Sequence, residues 1–207
     1  MKKSIFALAF AFTALLMTSD VFSQARIGVK GALNMATMRG EGDNSEVKAI
    51  YAPQAGLVVY SNLENPLFVQ SGLLYSIKGA QGVGFGNEKV KITYSFLEVP
   101  LNIGFQLPIS ESFKVSPYVG GYAGYALTGK LKFGGVTFDI FDLDLDDLED
   151  VEYDPKRLDY GLNAGVGLHF NDRVIISAQY AHGLANLGNA DAKTRTRTLS
   201  AGLTFLF

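Results

Sequence analysis

The most constraining feature of the sequence is a strict alternation over Leu158 to Phe170, LDYGLNAGVGLHF. Every second residue is apolar, and the residues between them are polar or glycine. Side chains of a strand alternate between two faces, whereas a helix repeats every 3.6 residues, so this stretch predicts a strand. Its apolar face runs from Tyr160 to Phe170, about the length that a tilted strand needs to cross a bilayer. The stretch therefore predicts a transmembrane β-strand.

Seven further stretches show the same alternation. They are residues 26–36, 49–60, 67–78, 92–106, 113–127, 173–181 and 194–207. Short and long connections alternate between them, and the long ones cover residues 38–48, 79–91, 128–157 and 182–193. An up-and-down transmembrane barrel has short periplasmic turns and longer extracellular loops. We therefore predict an all-β fold, an eight-stranded antiparallel up-and-down transmembrane β-barrel.

Aromatic residues recur at both ends of the predicted apolar faces. Tyrosines fall at the outer ends, at Tyr51, Tyr75, Tyr125, Tyr160 and Tyr180. Phenylalanines fall at the inner ends, at Phe105, Phe113, Phe170, Phe205 and Phe207. Such belts mark the two membrane interfaces of a barrel. The opposite faces are rich in glycine, and an eight-stranded barrel has room inside for little more than packed side chains. We expect Phe96, Tyr118 and Tyr122 to fill that lumen.

The N-terminus has the pattern of a secretory signal. Lys2 and Lys3 precede an apolar run over Ile5–Met17, which is too short for a transmembrane helix of about 20 residues. We predict a signal peptide over residues 1–23, cleaved after Ser23 or alternatively after Ala25, and a barrel domain over residues 24–207. The chain has no cysteine, which excludes disulfides and a lipid-modified cysteine.

Several segments together resemble a known family. They are FSQARIGVKGALN, YAPQAGLVVY, FLEVPLNIGF, YVGGYAGYALTG, YGLNAGVGLHF and LSAGLTFLF. These segments look like the outer-membrane β-barrel domain of PorT-like proteins from Bacteroidetes-type bacteria, and they are similar to OmpA-like barrels. The resemblance covers essentially the whole mature chain, and Phe96–Leu101 is its most distinctive part. It implies an integral outer-membrane location and a role for Phe207 as a barrel-insertion signal. It implies no single activity, because some members are linked to protein secretion or surface functions and most have no assigned role.

Five charged residues are placed on the lumen face by the alternation. They are Lys30, Lys78, Glu98, Asp159 and Arg173, and Gln179 lies on the same face. A buried charge without a partner is costly, so we expect these residues to pair across the narrow lumen. Such pairs could gate an ion path or act as a structural plug. The small lumen of an eight-stranded barrel favours the plug.

The segment Asp139–Asp154 carries nine carboxylates and no basic residue. Calcium prefers several carboxylate oxygens, so weak metal candidates are Asp142, Asp144, Asp146 and Asp147. The segment lacks the EF-hand pattern and its turn glycine, and a solvated loop is the favoured interpretation. Its interleaved apolar residues also suggest a strand extension or a short capping helix. We predict no bound metal and no cofactor, and we keep ligand recognition and a protein partner as alternatives.

Enzymatic and soluble alternatives have weak support. Lipid-modifying barrels need a nucleophile and a base together near the outer rim. His182 is placed there, but His169 lies at the inner end, and no G-x-S-x-G motif occurs. A soluble lipocalin-like barrel would carry its charges outside, whereas the apolar face here is nearly uncharged. The net charge of −2 gives no case for nucleic acid.

We therefore predict an integral outer-membrane protein, monomeric, surrounded by outer-membrane lipid and exported through a cleaved signal peptide. Its role is structural or interactional and is exercised through the extracellular loops, with loop 128–157 as the candidate site for a protein or ligand partner. A small-ion channel and a lipid-modifying enzyme are the competing functions.

Overall fold

The computed structural model describes residues 25–40, 47–62, 66–83, 89–142, 156–187 and 194–207. The predicted signal peptide over residues 1–23 lies outside the described residues. The described residues form ten β-strands: β1 (Arg26–Gly40), β2 (Lys48–Asn62), β3 (Leu67–Val83), β4 (Lys89–Phe105), β5 (Leu107–Ser110), β6 (Phe113–Phe133), β7 (Val136–Asp139), β8 (Leu158–Phe170), β9 (Val174–Gly183) and β10 (Thr194–Leu206).

Eight long strands close into a barrel. They pair antiparallel in the order β1, β2, β3, β4, β6, β8, β9, β10, and β10 pairs back onto β1. The short strands β5 and β7 pair only with β6 among the described strands. Closure leaves no open edge along the barrel wall, so the backbone groups are satisfied within the sheet, as a lipid environment requires. The predicted eight-stranded antiparallel barrel is confirmed.

The strands extend further on the extracellular side than the alternation predicts. β3 and β4 remain paired as far as Val83 and Lys89, inside the predicted loop 79–91. β6 continues to Phe133 and forms a hairpin with β7, inside the predicted loop 128–157. Gly134 and Gly135 form the hairpin turn, and both have a positive φ, as a two-residue turn of this kind requires. These segments left no sequence signal because strands outside the bilayer need no continuous apolar face.

The two faces of the wall differ as the alternation predicts. Leu57, Leu162 and Leu203 are exposed on the outside, whereas Phe96, Tyr118 and Tyr122 are buried inside together with most of the polar residues of the strands. No helix among the described residues is long and apolar enough to span a membrane. A polar interior and an apolar exterior invert the arrangement of a soluble barrel.

Candidate functional site in the barrel lumen

Lys78 is the centre of a charged network inside the barrel. Its side chain projects from β3 and is only 3% exposed. The Nζ atom forms a salt bridge with Glu98 on β4 and lies 3.2 Å from Asp159 Oδ2 on β8. The same Nζ lies 4.1 Å from the ring centroid of Tyr122, close enough for a cation–π interaction. The buried ammonium group is thus compensated by two carboxylates and an aromatic face.

Asp159 has partners besides Lys78. It is fully buried, and the Tyr122 hydroxyl donates a hydrogen bond of 3.2 Å to its Oδ2 atom. The Thr196 hydroxyl donates to the same Oδ2 atom, also at 3.2 Å. The two hydroxyl groups thus provide hydrogen-bond donors to this buried carboxylate. β6, β8 and β10 are therefore linked at one level of the lumen.

A chain of neutral side chains extends the network from Glu98 to the far strands. Gln54 Nε2 donates to Glu98 Oε2 at 3.3 Å and lies 3.2 Å from Ser76 Oγ. Asn34 Nδ2 lies 3.1 Å from the same Ser76 oxygen, and Ser200 Oγ donates to Asn34 Oδ1 at 2.7 Å. These contacts join β4, β2, β3, β1 and β10. Polar contacts therefore reach around most of the circumference of the barrel.

Lys30 lies beside this network without joining it directly. Its side chain is buried, and none of the described residues forms a hydrogen bond or a salt bridge with its Nζ atom. It lines a cavity of about 20 Å³ together with Glu98, Gln54 and Thr198. A cavity of this size has room for roughly one water molecule. The lumen at this level is therefore filled by protein.

Arg173 does not reach the lumen, so its predicted membership of the charged network is wrong. It is exposed and follows Asn171 and Asp172, whose φ angles of 48° and 54° form a tight turn at the inner end of the β8–β9 hairpin. Arg173 directly precedes Val174, the first residue of β9, so it belongs to this turn and its side chain is exposed at the inner rim.

The sequence did not identify Thr196, Gln54 and Asn34 as members of the network. All three lie on the lumen face, and the alternation of apolar and polar residues in their strands assigns these polar side chains to that face. Their grouping with Asp159, Glu98 or each other depends on how far neighbouring strands are staggered, which no local pattern reveals.

A second polar contact lies near the inner end. Ser116 Oγ and His169 Nε2 are 2.6 Å apart, and both side chains are buried. The His169 ring packs edge-on against Tyr60 and Phe68, with centroids 6.0 and 6.5 Å away. These rings enclose the serine–histidine pair within the barrel. His182 lies at the outer end, where its Nδ1 atom is 3.5 Å from the Tyr180 hydroxyl.

The acidic segment is described only in part. Asp142 is exposed, and Asp144, Asp146 and Asp147 lie outside the described residues. Within the described part of the chain, no group of three or more His, Cys, Asp or Glu side chains is placed to hold a metal ion.

Residues 19–189 match the family model described as outer membrane protein beta-barrel domain. The chain belongs to this family. The match spans most of the sequence and agrees with the closed barrel and its apolar outer wall. The protein is an integral outer-membrane β-barrel protein.

The chain is similar to several solved outer-membrane protein structures at low sequence identity. OprG from Pseudomonas aeruginosa is 11% identical, with a TM-score of 0.53, and the match covers 88% of this chain and 95% of OprG. Neisserial surface protein A is 14% identical with a TM-score of 0.49, covering 89% and 100% of the two chains. The attachment invasion locus protein Ail of Yersinia pestis is 15% identical with a TM-score of 0.45, covering 89% and 99%. Curated protein sequences give no match.

Proposed function

We propose that this protein is a closed, monomeric outer-membrane barrel without enzymatic activity, and that it has a structural or surface-interaction role through its extracellular loops. The occupied lumen is the observation that carries this proposal. Lys78, Glu98 and Asp159 cross it as a buried cluster, with Phe96 and Tyr122 packed against the Lys78 ammonium group. A plug of this kind favours a structural role of the charges over a gated ion path.

The energy needed to open the lumen argues against conduction. An ion path would require Lys78 to leave both carboxylates, and breaking a buried pair costs about 3–5 kcal/mol. A conformation of that energy is populated below about 1%. Tyr122 and Phe96 would also have to move, because both contact the Lys78 ammonium group.

Planar-bilayer conductance of the purified barrel tests the closed lumen. We expect no current steps above background for the wild type. The variant Phe96→Gly/Tyr122→Gly removes the two largest side chains around Lys78 and should give measurable steps, which shows that the assay detects a leaking barrel. Steps of similar size in the wild type would favour the small-ion channel instead.

The extracellular β6–β7 hairpin supports an interaction site in loop 128–157. It extends beyond the wall and carries Phe133, Val136 and Phe138, all exposed. Apolar side chains at the rim are suited to contact a partner. The adjoining segment Asp139–Asp154 adds the carboxylates noted above.

Site-specific cross-linking tests this surface. A photo-reactive residue at Val136, which is 54% exposed, should capture a protein on intact cells. The same residue at Ile109, 66% exposed on β5 at the inner end, is the matched control and should not give that adduct. Equal amounts of adduct at both positions, or no adduct at Val136, would contradict the proposal of a protein partner at loop 128–157.

The alternative of a lipid-modifying enzyme rests on His182 at the outer rim. We expect that His182→Ala leaves the lipid A composition of the cells unchanged. A changed profile would support enzymatic activity, because the Tyr180–His182 contact is the only feature of this rim that resembles a catalytic pair among the described residues.

We infer that export uses a signal peptide over residues 1–23 and that the chain is a PorT-like member of its family. The basic and apolar N-terminal pattern supports the first inference, and the FLEVPL segment supports the second. N-terminal sequencing of the outer-membrane protein should give Gln24 as its first residue. An uncleaved N-terminus would remove the signal-peptide assignment.

A further inference from the structure

We propose that basic side chains on the outward face of the extracellular rim bind the phosphate groups of the outer-leaflet glycolipid, lipid A. They are Lys91 on β4, Lys130 and Lys132 on β6, and Arg195 and Arg197 on β10; the five residues are called the basic collar below. The collar lies on the outward face of the strands and apart from the lumen, and its residues Lys130 and Lys132 belong to the β6–β7 hairpin, below the turn at Gly134 and Gly135.

The position of the collar relative to the lipid face is set by the strand register. Tyr75, Leu97 and Tyr125 are register partners in one row across β3, β4 and β6, and Tyr180 and Leu199 form the corresponding row across β9 and β10. Exposed tyrosines in such rows mark the outer membrane interface. The collar residues follow these rows on the extracellular side.

Arg197 is at the depth of lipid headgroups. It lies two residues beyond Leu199 on the same outward face, which places it roughly 5 Å further out for a tilted strand. In register it is flanked by Thr37 on β1 and His182 on β9, and none of the described residues gives it an ion pair. A guanidinium group binds phosphate oxygens through two parallel hydrogen bonds.

The lysines of β4 and β6 form a like-charge cluster. Lys91 and Lys132 are direct register partners, and Lys130 is two residues from Lys132 on the same face. All three side chains are exposed. Like charges directly opposite each other destabilise a sheet, and a bound anion offsets that repulsion. Lysine stems also reach several ångströms along the wall toward the headgroups.

The charges on the outward face of the extracellular rim are complementary to an anionic surface. The described strands contain three acidic residues: Glu98 and Asp159 face the lumen, and Asp139 lies opposite Lys130. The collar therefore carries five cations against one carboxylate. At the inner rim, by contrast, Lys114 is paired with Asp172 at 2.8 Å, and Arg26 donates to the Asp172 carbonyl at 2.7 Å. Within the described strands, the exposed cations without an ion pair or a hydrogen bond therefore lie at the extracellular end of the wall.

Native mass spectrometry of the full-length folded barrel in neutral detergent tests the proposal. The barrel is titrated with lipid A, with lipid A from which both phosphates have been removed, and with inorganic phosphate. We expect the wild type to retain lipid A at least about tenfold better than the dephosphorylated form, a ratio that falls as salt rises. The variant Lys91→Gln/Lys132→Gln/Arg195→Gln/Arg197→Gln should bring the ratio close to one.

Arg173→Gln is the matched control, because Arg173 is an exposed cation at the opposite rim, and it should keep the wild-type ratio. The pairs Lys91→Gln/Lys132→Gln and Arg195→Gln/Arg197→Gln are tested separately, so that a folding defect of the fourfold variant does not decide the result. The proposal is overturned if both pairs keep the wild-type ratio, if the wild type shows no preference, or if equimolar inorganic phosphate displaces lipid A.

Discussion

Lys78 and Asp159 are joined by a distance of 3.2 Å between Nζ and Oδ2, although they project from β3 and β8, which are not neighbours in the sheet. The contact therefore crosses the lumen and connects two parts of the wall that share no backbone hydrogen bonds. Glu98 on β4 binds the same ammonium group. Any change in the stagger of β3 relative to β8 would separate these charges, so the cluster favours one register of the closed barrel.

Lys78→Met should strongly destabilise the barrel. It leaves Glu98 and Asp159 as buried carboxylates without their cation, a change that costs about 3–5 kcal/mol in comparable buried pairs. The measurement is urea-dependent unfolding in lipid vesicles, followed by heat-modifiable gel mobility. The matched control is Lys78→Met/Glu98→Gln/Asp159→Asn, which removes the net charge and should recover part of the loss. Equal stability of Lys78→Met and the wild type would contradict a structural role of the network.

Gly165→Val should destabilise the barrel, because Tyr118 packs directly on this glycine. A Cβ atom at Gly165 would lie 2.5 Å from both Cζ and the hydroxyl oxygen of Tyr118, whose hydroxyl group donates to Gln179 at 3.1 Å. Forcing the ring away should cost about 1–3 kcal/mol. Gly31→Val is the control, since Gly31 is exposed on the outer face and a Cβ atom there meets nothing within 4 Å. Similar unfolding midpoints for both variants would argue against this packing.

Val119→Arg should destabilise the barrel in a bilayer far more than Val136→Arg. Val119 is 59% exposed and lies on β6 midway between Phe113 of the inner aromatic belt and Tyr125 of the outer one, so its side chain faces lipid. Arginine at the midplane of a barrel costs about 2–4 kcal/mol. Val136 is similarly exposed, but it lies in the hairpin beyond the wall. Comparable unfolding free energies in vesicles would contradict this placement of the membrane.

Ser116→Ala should destabilise the inner half of the barrel moderately. It removes the partner of His169 Nε2, now 2.6 Å away, and leaves a buried ring nitrogen without that hydrogen bond. The expected loss is about 1–3 kcal/mol in urea-dependent unfolding. Ser110→Ala alters an exposed serine on β5 and should be neutral. No difference between the two variants would show that the contact contributes nothing to stability.

The extracellular extensions show where sequence patterns fail. Residues 128–133 belong to β6 and residues 136–139 to β7, although both lie in the predicted loop 128–157. Lys130 and Lys132 alternate with Leu131 there, so the outward face is charged rather than apolar. An alternation of apolar and polar residues occurs only where a strand has one face in contact with lipid. A search for this pattern therefore misses the part of the strand that lies outside the bilayer.

The sequence by itself determined the number of transmembrane strands and the face that each one turns to lipid. The side chains of a strand alternate with a period of two, and a bilayer requires an apolar outer wall. The lipid-facing side of each strand can therefore be recognised from the sequence of that strand alone. Only the tertiary structure decided which lumen charges meet. Lys78 reaches Asp159 across 81 residues, Lys30 lies beside the network, and Arg173 is exposed at the inner rim. The stagger of the closed barrel sets these contacts, and stagger is a property of all eight strands together.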